Sequence, residues 1–323
     1  MTTISTVIPC FNGADFLDEA LRSVHGQTRA VDEIIVVDDG STDDSVSIAR
    51  GQGAICLSTG GRAAGPSAAR NIGIRAAQGD VIAFLDADDY WEPAHCELVV
   101  GLLDRHPDAA VAFSRERRIG DWEGEHDRVL PEDQPVDAFW PCLRRNMIPQ
   151  MGVAVRRAAL LVVGGYDETR RYSEDYDLWL KLARRFPFVC SHVVTCNHRG
   201  HAGQLTRHPG RLARGAYEAR YRVWREAVET APPDFVARVE GTIREAWQGY
   251  LRTTWKRRNR EEFDAALDLR DLVPGSDEIH DRWALKARHL WRWHAGAGWV
   301  WDRLPLGIRT GLRGSLRVLT GAR

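Results

Sequence analysis

The chain lacks a net charge of either sign: 44 Lys and Arg against 45 Asp and Glu leave −1, so nothing global favours binding to nucleic acid. It lacks any Cys-x-x-Cys pair. Cys10, Cys56, Cys96, Cys142, Cys190 and Cys196 are scattered, which argues against a disulfide framework or zinc site and for reduced thiols in a cytosolic setting. No apolar run approaches the roughly 20 residues of a spanning helix. Met1 to Thr6 is polar, without the basic and then apolar segments of a signal peptide. No G-x-G-x-x-G follows the first apolar run, which speaks against a dehydrogenase. No internal repeat stands out. What remains is a chain of 323 residues, 44% hydrophobic and 28% charged, the balance of a soluble globular protein able to bury one large core or two.

The first half alternates strand and helix signals. Strands are expected at Ile4 to Ile8, Glu33 to Val37, Ala54 to Leu57 and Val81 to Leu85, and helices over Asp15 to Gln27, Asp43 to Arg50 and Pro66 to Ala77. The continuous apolar run EIIVV suits a strand buried on both faces. This alternation predicts an α/β domain with a mostly parallel sheet. Further on, a helix is expected over Pro93 to Arg105, a strand at Ala109 to Phe113, a loop over Gly120 to Pro135 and a strand at Met151 to Val155. In SEDYDLWLKLARR, Tyr176, Trp179, Leu180 and Ala183 share a packing face. Ser173 is placed to cap that helix, with Glu174 and Asp175 favoured in its first turn by the dipole. From Arg211 onward the composition turns to Arg, Trp and Ala with helical periodicity, broken at Pro232-Pro233 and Pro274-Gly275.

The stretch VIAFLDADDYWEP runs a buried strand into Asp86, Asp88 and Asp89. Acids in that position are turn formers or oxygen ligands for magnesium or manganese, which arrive with phosphates. Ligands of parallel sheets sit beyond the carboxyl ends of the strands, and Pro9 to Asn12, Asp38 to Ser41 and Asp86 to Asp89 all fall there. Three jobs can be assembled. Pro9, Phe11 and Asp39 supply a wall and a hydrogen-bonding edge for a base. Asp88 through a cation, with Arg199 or His201, supplies charge for a diphosphate. Asp175 is a candidate base for a hydroxyl nucleophile.

The blocks VIPCFNG (7–13), IIVVDDGSTD (34–43), GPSAARNIGIRAAQGDVIAFLDADD (65–89), VGGYDE (163–168), SEDYDLWLKLA (173–183) and RGHAGQLT (199–206), in that order and spacing, resemble a family 2 glycosyltransferase of bacterial type with the GT-A fold, over roughly residues 4 to 207. The resemblance implies an inverting, metal-dependent transfer of a sugar from a nucleotide-diphosphate donor, UDP ahead of GDP or dTDP. The acceptor it implies is a hydroxyl of a glycan or lipid-linked glycan in surface polysaccharide biosynthesis. It implies Pro9, Phe11 and Asn12 around the base, Asp39 on its edge, and Asp86 near the sugar or ribose. Asp88 and His201 are implied as partners of Mn2+ or Mg2+, and Asp175 as the catalytic base. Glu174 and Arg199 are left to orient the acceptor or the diphosphate, and Arg70 to contact the donor or pack its helix.

The runner-up reading is a non-catalytic nucleotide-sugar binding or scaffold protein, which retention of both Asp88 and Asp175 disfavours. A nucleotidyltransferase would carry a Gly-rich loop with a basic residue where VIPCFNG stands. Residues 114–150, with Trp122, Trp140 and Asn146, are expected to shape the acceptor side. Tryptophans at this density otherwise pack a core. We expect a catalytic domain over 1–210 and a helical extension over 211–323. The extension's end, Trp283 to Arg323, mixes Trp with Arg and few acids. That composition suits the inner face of a cell membrane, packing on the catalytic domain, or a second subunit.

Overall fold

The computed structural model describes residues 1–285 apart from 62, 122–123, 126–129 and 202–207, with the backbone alone at 124–125. The membrane-helix expectation for Trp283 to Arg323 and the acceptor role of Trp122 therefore lie almost wholly outside the described residues.

The chain runs β1 (Ile4–Cys10), α1 (Ala14–His25), β2 (Glu33–Asp38), α2 (Ser45–Gly51), β3 (Ile55–Ser58), α3 (Pro66–Ala76) and β4 (Val81–Phe84). It continues through β5 (Tyr90–Trp91), α4 (His95–Arg105), β6 (Val111–Gly120), β7 (Gly124–Glu125), α5 (Phe139–Arg144), β8 (Val153–Arg156) and α6 (Arg157–Val163). Then come α7 (Glu174–Ala183), β9 (Phe188–Gly200), α8 (Pro209–Thr230), α9 (Pro233–Lys256) and α10 (Arg260–Leu267). One sheet takes the order β3-β2-β1-β4-β8-β6-β9-β5, with β7 on β6. The first four neighbours are parallel, β8 is antiparallel to both its partners, and β6 and β9 are parallel to each other.

Side chains alternate across a strand, and the alternation divides the core between the two faces of the sheet. Val7, Ile35, Val37, Ile82 and Phe84 meet α3, α5, α6 and α7 on one face, while Ile4, Ile8, Ile34, Val36, Val81 and Ala83 meet α1, α2 and α4 on the other. Helix α3 lies close on β1 at Gly73, where a Cβ would fall 2.4 Å from Val7 Cγ1. Helices α8, α9 and α10 belong to the first face: Val223, Val239, Ile243, Trp247 and Phe263 are buried in the same cluster as Trp179. The expected boundary at 210 falls inside the first turn of α8.

Three expectations are corrected. Gly120 to Pro135 is not loop throughout, because β6 reaches Gly120 and β7 pairs back onto it. Residues 150–152 form a 3-10 turn ahead of β8 rather than the start of a strand. Ser173 does not cap α7: it sits at φ 55°, and its hydroxyl donates instead to Leu212 O at 2.8 Å. Strand β9 is an addition. Its register on β6 shifts between Phe113 and Glu116, which breaks the period-2 pattern that would mark it in the sequence.

Candidate active site

The loops after β1 and β2 hold each other. Asn12, itself at φ 50°, accepts from Thr42 N at 2.8 Å through Oδ1, while Ser41 Oγ accepts from Asn12 N at 2.9 Å. Asp43 and Ser45 accept from Ala14 N and Gly13 N, so side chains from the second loop occupy the first turn of α1. Asp39, 6% exposed, accepts from Thr59 Oγ1 (2.6 Å) and Ala64 N (2.9 Å) through Oδ1, and from Gly65 N (2.8 Å) through Oδ2. Each carboxylate oxygen has about two acceptor positions, so Oδ2 keeps capacity for a ligand edge. Pro9, paired with Val37 one residue before the end of β1, precedes Phe11 by two positions, and Phe11 is 54% exposed. An exposed phenyl at the carboxyl end of a parallel strand is a surface suited to a flat ring.

The loop after β4 gathers Asp86, Asp88 and Asp89. Asp86 Oδ1 accepts from Arg70 Nη2 at 2.6 Å. Asp88 Oδ2 lies 2.8 Å from His201 Nε2, and both side chains are partly open to solvent. Asp89 is buried and accepts from Arg199 N at 2.8 Å; burial first, then the Asp88 and Asp86 carboxylates, hold it well above the usual carboxylate range. Arg199 donates through Nε to Asp88 O (3.1 Å) and through Nη2 to Glu19 (2.6 Å), with its Cζ over the Phe16 and Tyr90 rings. Among the described residues no cluster of three or more His, Cys, Asp or Glu could hold a metal alone. Asp88 with His201 is an oxygen and nitrogen pair that fits a divalent cation whose remaining ligands are phosphate and water oxygens, the usual manner of Mg2+ sites.

Across from these loops, α7 begins with Glu174 and Asp175. Arg70 on α3, 4% exposed, joins the two sides: Nη2 holds Asp86 and Nη1 holds Glu174 Oε1 at 2.8 Å. Its Cζ lies 5.4 Å from the centroid of the Tyr166 ring. Burial opposes the Arg70 charge, but Asp86, Tyr166 and Glu174 outweigh it and raise its pKa well above the ordinary value. Asp175 Oδ2 accepts from Asn146 Nδ2 at 3.2 Å. Burial, followed by the Glu174 carboxylate, pushes Asp175 up to about 6, against the lowering pull of its own helix backbone, Asn146 and Arg70. A base near neutrality is matched to proton abstraction at working pH.

Asp39, Asp86, Asp88, His201, Arg199, Arg70, Glu174 and Asp175 are thus organised around loops that converge on the carboxyl ends of the parallel strands and the start of α7. Trp140 is not among them. It packs on Phe139 and Phe235 with Arg238 Cζ 3.6 Å from its ring centroid, so the aromatic and cationic side chains of α9 claim it. The Arg70 bridge leaves no sign in the sequence, because its two carboxylates stand 16 and 104 residues away. Asn146 falls within the broad 114–150 region expected to face the acceptor, and no motif marks its bond to Asp175.

Residues 5–160 match the family described as Glycosyl transferase family 2. An uncharacterized glycosyltransferase of Rickettsia prowazekii (strain Madrid E) is 29% identical over 210 residues, 63% of this chain and 65% of that one. Succinoglycan biosynthesis protein ExoU of Rhizobium meliloti (strain 1021) is 32% identical over 199 residues, 56% of each chain. The chain therefore spans less than two thirds of either relative. Among solved structures, S. aureus TarS 1-349 in complex with UDP-GlcNAc superposes with a TM-score of 0.64 at 18% identity, over 84% of this chain and 82% of that one. Mannosyltransferase PcManGT from Pyrobaculum calidifontis, in complex with GDP-Man and Mn2+, gives 0.57 at 20% identity over 89% and 81%. At such identities the structural likeness speaks for the fold. Together with the family match and the two relatives, it makes residues 5–160 a glycosyl transferase family 2 segment, carried on the GT-A fold.

Proposed function

We propose that the protein is an inverting glycosyltransferase that moves a sugar from a nucleotide-diphosphate donor, first of all a UDP-sugar, to a hydroxyl of a glycan or lipid-linked glycan in surface polysaccharide biosynthesis. ExoU, named for succinoglycan biosynthesis, supports the polysaccharide setting, and the UDP-GlcNAc complex of TarS supports the donor class. The observation that carries the reading is the Arg70 bridge, which fixes the acids after β4 and the start of α7 on one guanidinium.

Pro9 and Phe11 wall the base, with Asp39 at its edge and Asn12 holding the loop. Asp88 and His201 would hold Mn2+ or Mg2+. When bound, that cation offsets the negative charge growing on the departing diphosphate. Arg199 orders the Asp88 backbone carbonyl and the Asp89 carboxylate beside it. Asp86, fixed by Arg70, faces the sugar side, and Asp175 takes the acceptor proton as the new bond forms. Glu174, held by Arg70, orients the acceptor hydroxyl. Backside attack in a single displacement inverts the anomeric carbon, and positioning and electrostatics supply most of the rate. Residues 1–210 form the catalytic domain and 211–323 a helical extension in this reading. No helix among the described residues is long and apolar enough to cross a membrane.

The pH dependence tests the base. Asp175 is faced by Glu174 and Tyr176 on its own helix, by Arg70 from α3 and by Tyr166 from the turn after α6. Only its ionised form accepts the proton. UDP release from a UDP-sugar with Mn2+ should therefore rise about tenfold per pH unit below the Asp175 pKa and level off above it, with the bend near 6. A flat profile from about pH 5 to 8 would remove Asp175 from the role.

A further inference from the structure

The base stands at the end of a turn that the family match does not reach, and helix α8 holds that turn from outside. Ser173 is a non-glycine residue in the left-handed region at φ 55°, a conformation that persists only where its surroundings impose it. Three contacts impose it from α8. Leu212 O accepts the Ser173 hydroxyl at 2.8 Å. Arg211 Nη1 donates to Tyr172 Oη at 2.8 Å. Gly215, inside the helix, lets the backbone come so close that a Cβ there would lie 2.4 Å from Tyr172 O. Glycine in a helix interior is otherwise unfavourable, and the close approach gives it a reason.

The same helix reaches the other partner of the base. Arg220, buried, donates through Nε to Leu143 O at 2.8 Å and through Nη2 to Arg144 O at 2.9 Å. These carbonyls end α5, two and three residues before Asn146, whose amide donates to Asp175. One turn into α7, Arg222 Nε donates at 2.9 Å to Asp177, which is 0% exposed and also paired with Arg170 and Lys181. Along its length α8 therefore binds the turn before Asp175, the residue two beyond it, and the segment that carries its hydrogen-bond donor.

We propose that α8 is a positioning element of the transfer reaction, with Gly215, Arg220 and Arg222 setting the Asp175–Asn146 geometry by clamping both segments that carry it. These residues touch no reacting atom. They act through Ser173, Asp177 and the end of α5, so the helical extension is part of the catalytic geometry and not an appendage. The inference rests on the reading of Asp175 as the base.

Gly215→Ala and Arg220→Lys test it at two places, with Trp247→Phe as a control. Trp247 is buried in α9 and its indole donates to Ala266 O, so it makes none of the clamp's hydrogen bonds. Hydrogen exchange read by mass spectrometry needs no substrate. In both clamp variants exchange over 139–146 and 173–183 should quicken about tenfold while 81–91 stays unchanged. UDP release with Mn2+ at saturating UDP-sugar should fall about 10- to 100-fold, with the UDP Kd within about twofold of wild type. The acid limb of the pH profile should move as the Asn146 bond weakens. Unchanged exchange over the two segments, or loss of rate no greater than in Trp247→Phe at equal loss of Tm, would overturn the clamp. Wild-type UDP release that survives Asp175→Asn would instead overturn the reading of the base, an outcome the exchange data do not share.

Discussion

Asp175→Asn should lower the rate of UDP release by about 10²- to 10⁴-fold, the usual contribution of a positioned general base, with the nucleotide Kd unchanged. Asparagine keeps the shape and an oxygen for Asn146 but cannot accept the proton. A second effect has the opposite sign. The Asp175 pKa is raised in the folded protein to about 6 from an ordinary 3.8, so the fold favours the protonated carboxyl. Stability from this group is fully present below the unfolded value and is lost as pH rises through the folded one. The uncharged amide escapes that loss, so Asp175→Asn should melt higher than wild type at pH 8 and show no such advantage at pH 4. Activity lost and stability gained by one substitution is the signature of a charge kept for function. A variant that lost both would mark Asp175 as structural.

Arg70→Met should be the most damaging change in the site. Methionine fills much of the space but leaves Asp86 and Glu174 facing each other without the cation between them. Removing one member of a buried ion pair costs about 3–5 kcal/mol, and the partial exposure of Asp86 places the expected loss toward the lower end. Arg70 also lowers the Asp175 pKa. Its loss should carry the acid limb of the pH profile above the wild-type bend, so that activity at pH 7 falls further than at pH 8.5. Chemical denaturation and the pH profile of Arg70→Met read the two effects separately. The double variant Arg70→Met with Glu174→Gln should lose less stability than the sum of the singles, since removing the second charge relieves the first. Strict additivity would show that Arg70 does not join the two sides.

Much of the amino-terminal half is legible because parallel strands are short apolar runs bounded by turn residues. β1, β2, β3 and β4 lie within a residue or two of where EIIVV and its neighbours place them. The site loops are legible for a related reason: their acids follow those runs directly. What escapes the sequence is set by distant partners. Ser173 has the side chain of a cap, yet a carbonyl on α8 draws its hydroxyl away from the helix it precedes. Arg70 sits in an ordinary helical stretch, and only the folded sheet shows that it faces carboxylates from two different segments. β9 carries Ser191, His192, Asn197 and His198 amid its apolar residues, and its pairing with β6 is irregular, so alternation alone cannot reveal it. Trp140 has the composition of a sugar platform, but Phe235 and Arg238, nearly a hundred residues on, occupy it instead.

The central claim is that the acids after β4 serve a nucleotide-sugar donor through a divalent cation. Calorimetric titration of UDP, GDP and dTDP and their sugars, with and without Mn2+, against wild type and Asp88→Ala, tests it most directly. One nucleotide should bind only with the metal, and the Asp88→Ala protein, still folded, should lose that binding. Binding that ignores both the metal and Asp88 would contradict the cation's role. Absence of binding by any nucleotide would contradict the donor site altogether.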